Sequence, residues 1–484
     1  MSDFSGWLTS ALMLGYFVTI ILILFRLILK RRKVGVTLAW IGVIFAVPIL
    51  GVFAYLVFGE LELGRFRAKR ARRLNKKYRA WLDSMVELIP PTEQILNPKQ
   101  QGVAKLIFSR EGMPLLPGNA TKLFTEAGPV FDGMIVDINK AEHSVWMEFY
   151  ILEEHGRVEP VLQSLEQAAA RGVQVFIALD SAGSSDFIGS ERQLQLERNG
   201  VKVLELLPVL PWRLWLERQD LRVHRKAVVI DGRVGWTGSM NLVDPVLFNE
   251  GAGVGEWVDT MLRIEGPAAL FLKSVVVNDW QLETGRNLLP RLRDSELPSP
   301  SGSVLCQVAP SGPASPDDSI EEVLLTAIYA AQSCVRMTTP YFVPGEGLVT
   351  ALKAAVHRGV EVTLIVPKRN DSRLVGLASS SYYEELLAAG VRIEVFDGGL
   401  LHAKLVVIDD DLALYGSVNL DMRSFWLNFE LTVAIYHEDT VHQLHQLIDQ
   451  YQNDTRALSL DRWRKRGLAT KLLQQLAYLC SPLL

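Results

Sequence analysis

Two strings decide the fold: His224-Arg-Lys226, Asp231, Gly238-Ser239-Met-Asn241, and His402-Ala-Lys404, Asp409, Gly416-Ser417-Val-Asn419. Both follow H-x-K-x4-D-x6-G-S-x-N, and an apolar run frames each, Ala227 to Ile230 and Leu405 to Ile408. Those runs read as buried strands, and alternation along a strand puts each histidine on the same side as its lysine. A single His-x-Lys is commonplace on a protein surface. The same polar set repeated at fixed spacing in matching context is a functional signature.

Working outward, the surroundings repeat as well. Ser144-Val-Trp-Met-Glu-Phe-Tyr-Ile151 is echoed by Cys334-Val-Arg-Met-Thr-Thr-Pro-Tyr-Phe342. Each is followed by a helical pattern, with Val158, Val161, Leu162, Leu165 and Ala169 on one face, and Leu348, Ala351, Leu352, Ala355 and Val356 on the other copy's. Both patterns end in Arg-Gly, at Gly172 and Gly359, where glycine suits a left-handed cap. Apolar strands Val173 to Leu179 and Val360 to Val366 come next. Strands alternating with helices predict an α/β fold of two repeats, with mixed, mainly parallel sheets flanked by helices. The repeats fall at residues 110–296 and 303–460, and a basic linker, 61–109, precedes them.

The chemistry these groups suit is displacement at a phosphodiester. One neutral imidazole attacks phosphorus and forms a phosphohistidine. A second, protonated imidazole on the opposite side supplies the leaving alkoxide with its proton. Lys226 and Lys404, with Asn241, Asn419, Ser239 and Ser417, are expected at the phosphate oxygens, where donors stabilise the developing charge. Each histidine needs an acceptor on its other nitrogen. Asp259 and Glu430, acids inside the otherwise apolar strands Trp257 to Ile264 and Asn428 to Ile435, are the candidates. No carboxylate cluster has metal-ligand spacing, so no metal or other cofactor is expected.

The chain has 484 residues and a net charge of −4, which does not point to nucleic acid as a partner. Cys306, Cys334 and Cys480 have neither metal-ligand nor disulfide-framework spacing. The apolar excess sits at the N-terminus. Leu8 to Phe25 and Val34 to Phe58 carry no charge and predict a transmembrane hairpin within residues 1–60, with Pro48 tolerated inside the second helix. A hairpin sets the basic turn Lys30 to Lys33 against the larger basic cluster Arg65 to Arg79 under the positive-inside rule. The larger cluster favours a cytoplasmic catalytic domain.

Two further segments address a lipid bilayer. Leu206 to Leu216, with Trp212 and Trp215, suits either a headgroup boundary or burial under the second repeat. Residues 461–484 join a basic turn, Arg462 to Arg466, to an apolar helix, which reads as an interfacial anchor or a capping helix.

The paired motifs resemble the phospholipase D superfamily. Asp180-Ser-Ala-Gly183, Thr338-Thr-Pro-Tyr-Phe-Val-Pro344, Leu242-Val-Asp-Pro245, Leu420-Asp-Met-Arg-Ser424 and the terminal Ser481-Pro-Leu-Leu484 narrow the resemblance to bacterial cardiolipin synthases of the twin-helix kind, over the whole chain. That resemblance implies an enzyme of the inner membrane that joins two phosphatidylglycerol molecules and releases glycerol. It also implies His224 as nucleophile, His402 as acid and base, and fold-supporting roles for Asp231 and Asp409. The motifs alone leave open which histidine attacks, which acceptor is used, hydrolysis to phosphatidic acid, and a homo-oligomer.

Overall fold

The computed structural model describes residues 2–29, 34–58, 65–208, 220–248, 251, 253–289, 296–313, 315 and 319–481. Trp212 and Trp215, the turn Lys30 to Lys33 and the last three residues lie outside that set.

Among the described residues the N-terminal unit holds three helices, Ser2–Leu29, Val34–Ala46 and Pro48–Phe58. The second apolar run is therefore not one helix. Proline lacks the N–H that would continue the ladder, and the chain bends at Val47. The bend is sharp enough that Trp40 and Tyr55 meet edge to face at 5.5 Å. A side chain on Gly51 would collide with the Val43 carbonyl at 2.5 Å, so only glycine permits this approach. Ile44 and Tyr55 share a core with Ile20, Ile23 and Leu27 of the first helix. Among the described residues no helix is long and apolar enough to cross a membrane. The side chains of Ser2–Leu29 are described mainly from Met13 onward.

The second unit is built on a mixed, sixteen-stranded sheet among the described residues. The first repeat contributes, in spatial order, Lys202–Leu206, Gln174–Asp180, Ser144–Phe149, Ala227–Ile230, Val234–Gly238, Met261–Glu265 and Leu116–Phe124. The second repeats that order from Arg392–Phe396 to Val304–Ser311, with Thr455–Ala457 added at its outer edge. The halves join where Leu116–Phe124 pairs antiparallel with Val304–Ser311. Helices cover both halves, and the glycines after two of them adopt the left-handed conformation expected, φ +94° at Gly172 and +90° at Gly359.

The expected parallel majority is wrong. Along the main strand order of the sheet, only the strands joined by helical crossovers pair parallel. Each motif strand instead turns straight back into its neighbour and pairs antiparallel on both sides, as do the strands beyond it. The turns hinge on Asp231 (φ +54°) and Asp409 (φ +50°), left-handed residues whose short polar side chains make that conformation tolerable.

The basic linker is helical and docked. Arg65–Val86 lies against the helix Pro267–Thr284 through Arg67 and Glu283 (3.0 Å), Tyr78 and Ser274 (3.0 Å), and Trp81 and Phe271 (6.0 Å between rings).

Candidate active site

Short two-residue strands carry each motif histidine across the boundary between the repeats. Arg222–Val223 adds in parallel to the second repeat's Asn428–Ile435, and the His224 N–H donates to the Phe429 carbonyl (2.8 Å). Leu400–Leu401 pairs with the first repeat's Trp257–Val258, and the His402 N–H donates to the Val258 carbonyl (2.9 Å). The two motifs are thereby woven into one site. Both histidines and both lysines are buried.

The imidazole partners are crossed. His224 Nδ1 lies 2.9 and 3.0 Å from the two carboxylate oxygens of Glu430, in the second repeat. His402 Nδ1 lies 2.7 Å from Oδ1 of Asp259, in the first. The two acids singled out in the sequence stand here, each serving the other repeat's histidine. Nδ1–H donation to a carboxylate leaves Nε2 as the reacting nitrogen. Burial pushes the imidazoles down, His224 to about 4 and His402 to about 3, against the pull of their carboxylates. Burial resists ionisation of Asp259 and Glu430 too, but the facing imidazoles and the lysines outweigh it and hold both acids below their ordinary values.

Lys226 and Lys404 each donate to the carbonyl of their own histidine at 2.6 Å, which fixes the ammonium in the link between two strands. Burial lowers Lys404 to about 8 and Lys226 well below its usual value. A site with two desolvated ammonium groups gains by admitting an anion, and a phosphodiester would restore charge to lysine and imidazole alike.

The serines act elsewhere than expected. Ser239 Oγ donates to Asp259 (2.6 Å) and Ser417 Oγ to Glu430 (2.5 Å), so both hydroxyls hold the carboxylates rather than a phosphate. Asn241 accepts the Ile151 N–H through Oδ1 (3.3 Å), which leaves its amide N–H groups to donate. The Asn419 side-chain oxygen is buried without a protein partner. Asp231 and Asp409 lie at the far ends of the motif strands. Asp231 accepts the N–H groups of Glu142, His143 and Ser144, and Asp409 those of Gln332, Ser333 and Cys334. Lys99 also grips Asp409, at 2.6 Å. Burial works against ionisation there, but Lys99 and the N–H donors prevail and keep the Asp409 carboxyl well below its ordinary range.

A family model described as "Cardiolipin synthase, PLD-like domain" matches residues 134–247 and 324–452, and one described as "Phospholipase_D-nuclease N-terminal" matches residues 17–60. Cardiolipin synthase A of Klebsiella pneumoniae (strain 342) is 43% identical over 99% of this chain and 98% of its own length. The chain belongs to the cardiolipin synthase family. A second family member, cardiolipin synthase A of Citrobacter koseri, is 42% identical over the full length of both chains. The fold extends further. Crystalline phosphatidylserine synthase of Haemophilus influenzae Rd KW20 superposes with a TM-score of 0.57 at 15% identity, covering 80% of this chain and all of that one.

Three residues of this cardiolipin synthase family site were not singled out from sequence. Tyr150 stands edge-on to His224 at 5.3 Å, and Trp257 lies 4.3 Å from His402. Trp257 is two residues before Asp259, and that offset was the available signal. Buried Arg225 donates through Nε to the Glu430 carbonyl (2.9 Å) and through Nη2 to the Ser311 carbonyl (3.1 Å), and pairs with Asp279. It fastens the strand that carries Glu430. Ala403 occupies the equivalent position in the second motif.

Proposed function

We propose that this chain joins two phosphatidylglycerol molecules through a phosphohistidine on His224. The observation that carries the reading is the crossed pair of carboxylate–imidazole dyads, each with a lysine two residues along. His224 Nε2 attacks phosphorus, the bond to the glycerol headgroup breaks, and His402 gives the departing alkoxide its proton. The headgroup hydroxyl of a second phosphatidylglycerol then yields its proton to His402 and attacks phosphorus. The P–N bond breaks and cardiolipin forms. Lys226, Lys404, Asn241 and Asn419 face the non-bridging oxygens and supply the positive field at the phosphate. Purified enzyme given phosphatidylglycerol alone, with excess chelator, should yield cardiolipin and glycerol in equal amounts. Phosphatidic acid as the main product would make the enzyme a hydrolase instead.

The reading places the chain in a bacterial inner membrane. The first helix, uncharged from Leu8 to Phe25, is assigned to contact with lipid. Ten of its large apolar side chains, from Trp7 to Leu29, are exposed, as lipid contact requires. The fold-back at Pro48 returns the second run to the side from which it entered. The larger basic cluster, Arg65 to Arg79, favours a cytoplasmic catalytic domain under the positive-inside rule. A C-terminal green fluorescent protein fusion should fluoresce in bacteria. An active alkaline phosphatase fusion at the same point would reverse the orientation.

A further inference from the structure

The helix Leu468–Leu479 is docked the wrong way round for a soluble protein. Its buried residues are Gln474 and Ala477, which rest on the helix Arg373–Ala389. The contact is polar and aromatic. Gln474 Oε1 accepts from Arg466 (2.6 Å), Arg466 also donates to Glu384 (3.2 Å), and Tyr478 meets Tyr382 edge to face at 5.4 Å. Leu468, Leu472, Leu473, Leu476 and Leu479 point outward, each between 54% and 75% exposed. At 3.6 residues per turn they fall within one sector of about 140°. Each uncovered leucine forfeits the gain of removing its apolar surface from water, so the stripe is built to be covered.

The features on either side identify the cover. The preceding helix, Leu460–Arg464, and the turn after it expose Arg462, Arg464 and Lys465. A second copy would bring the same cations against each other across a twofold axis. A stripe about 18 Å long and 10 Å wide, on the order of 200 Å², also falls far short of the roughly 800 Å² per partner of a stable interface. An anionic bilayer answers both features. It accepts the leucines at the acyl boundary and attracts the nearby cations.

We propose that residues Arg462–Leu479 form an interfacial docking element that lays its leucine stripe into the headgroup–acyl boundary of an anionic bilayer. The element is coupled to the catalytic strands. Tyr382, against which Tyr478 packs, also meets Phe342 at 6.1 Å, and Phe342–Val343 pairs with Leu420–Asp421, directly after Asn419. Docking therefore sets the headgroup layer against the part of the fold that carries a phosphate-site residue. Lipid docking itself stands apart from the reaction proposed above.

The test uses the full chain with Cys334→Ser and Cys480→Ser, and an environment-sensitive fluorophore on Leu472→Cys. On vesicles of phosphatidylglycerol and phosphatidylethanolamine the label should shift to the blue. Lipids spin-labelled high on the acyl chain should quench it at least about twofold. A label on exposed Glu361→Cys should respond to neither. A water-like label at position 472 on the vesicles overturns the proposal. So does a shift that depends on protein concentration at fixed lipid excess, which would report a second copy on the stripe.

Discussion

His224→Ala and His402→Ala should each lower cardiolipin formation by roughly 10⁴-fold or more, measured as product from phosphatidylglycerol vesicles. Each histidine is required in both half-reactions, one holding the phosphatidyl group and the other moving the proton, so neither loss is made good by its partner. The buried positions, with Glu430 and Asp259 left facing a cavity, make an unfolding control necessary. Melting temperature and the circular dichroism of the purified variants supply it. Acid quenching of wild-type enzyme during turnover of labelled lipid should trap a phosphatidyl adduct on His224. The His402→Ala chain should accumulate adduct only from a donor whose leaving group needs no proton. An adduct on His402 would exchange the two roles and leave the chemistry in place.

Much of this site could be read from residues alone because its parts lie in two strings of fixed spacing. The fixed spacing paired His224 with Lys226, although both stand in the link between two strands rather than alternating along one, and apolar context marked Asp259 and Glu430 as misplaced acids that had to serve something. What could not be read is contact between copies. Nothing in either string says that Arg222–Val223 adds to the opposite repeat, so the crossing of the dyads emerges only in three dimensions. The serines were misplaced for a related reason. A hydroxyl suits a phosphate or a carboxylate equally, and distance alone chooses. The parallel majority was overestimated because helical crossovers are conspicuous in sequence, whereas the tight turns at Asp231 and Asp409 leave only a short polar interruption. Pro48 was read as tolerated within a span, and the close approach that Gly51 permits turns it into a fold-back.

The crossing has its own expected result. Glu430→Gln and Asp259→Asn keep side-chain volume but replace an acceptor-only carboxylate with an amide that can also donate to Nδ1 and select the wrong tautomer. Either change should lower turnover roughly 10²- to 10⁴-fold. Their patterns should differ. Glu430 faces His224 (2.9 Å), so Glu430→Gln should behave like His224→Ala and give little adduct from any donor. Asp259 faces His402 (2.7 Å), so Asp259→Asn should behave like His402→Ala. It should form little adduct from phosphatidylglycerol, yet form it near the wild-type rate from a phosphatidyl donor with a nitrophenolate leaving group, which departs without a proton. Matching each acid variant to a histidine variant, rather than to an absolute rate, keeps the result independent of which histidine attacks. If Glu430→Gln tracked His402→Ala and Asp259→Asn tracked His224→Ala, each acid would be serving the histidine of its own repeat, and the crossed arrangement would not be the one that operates in catalysis.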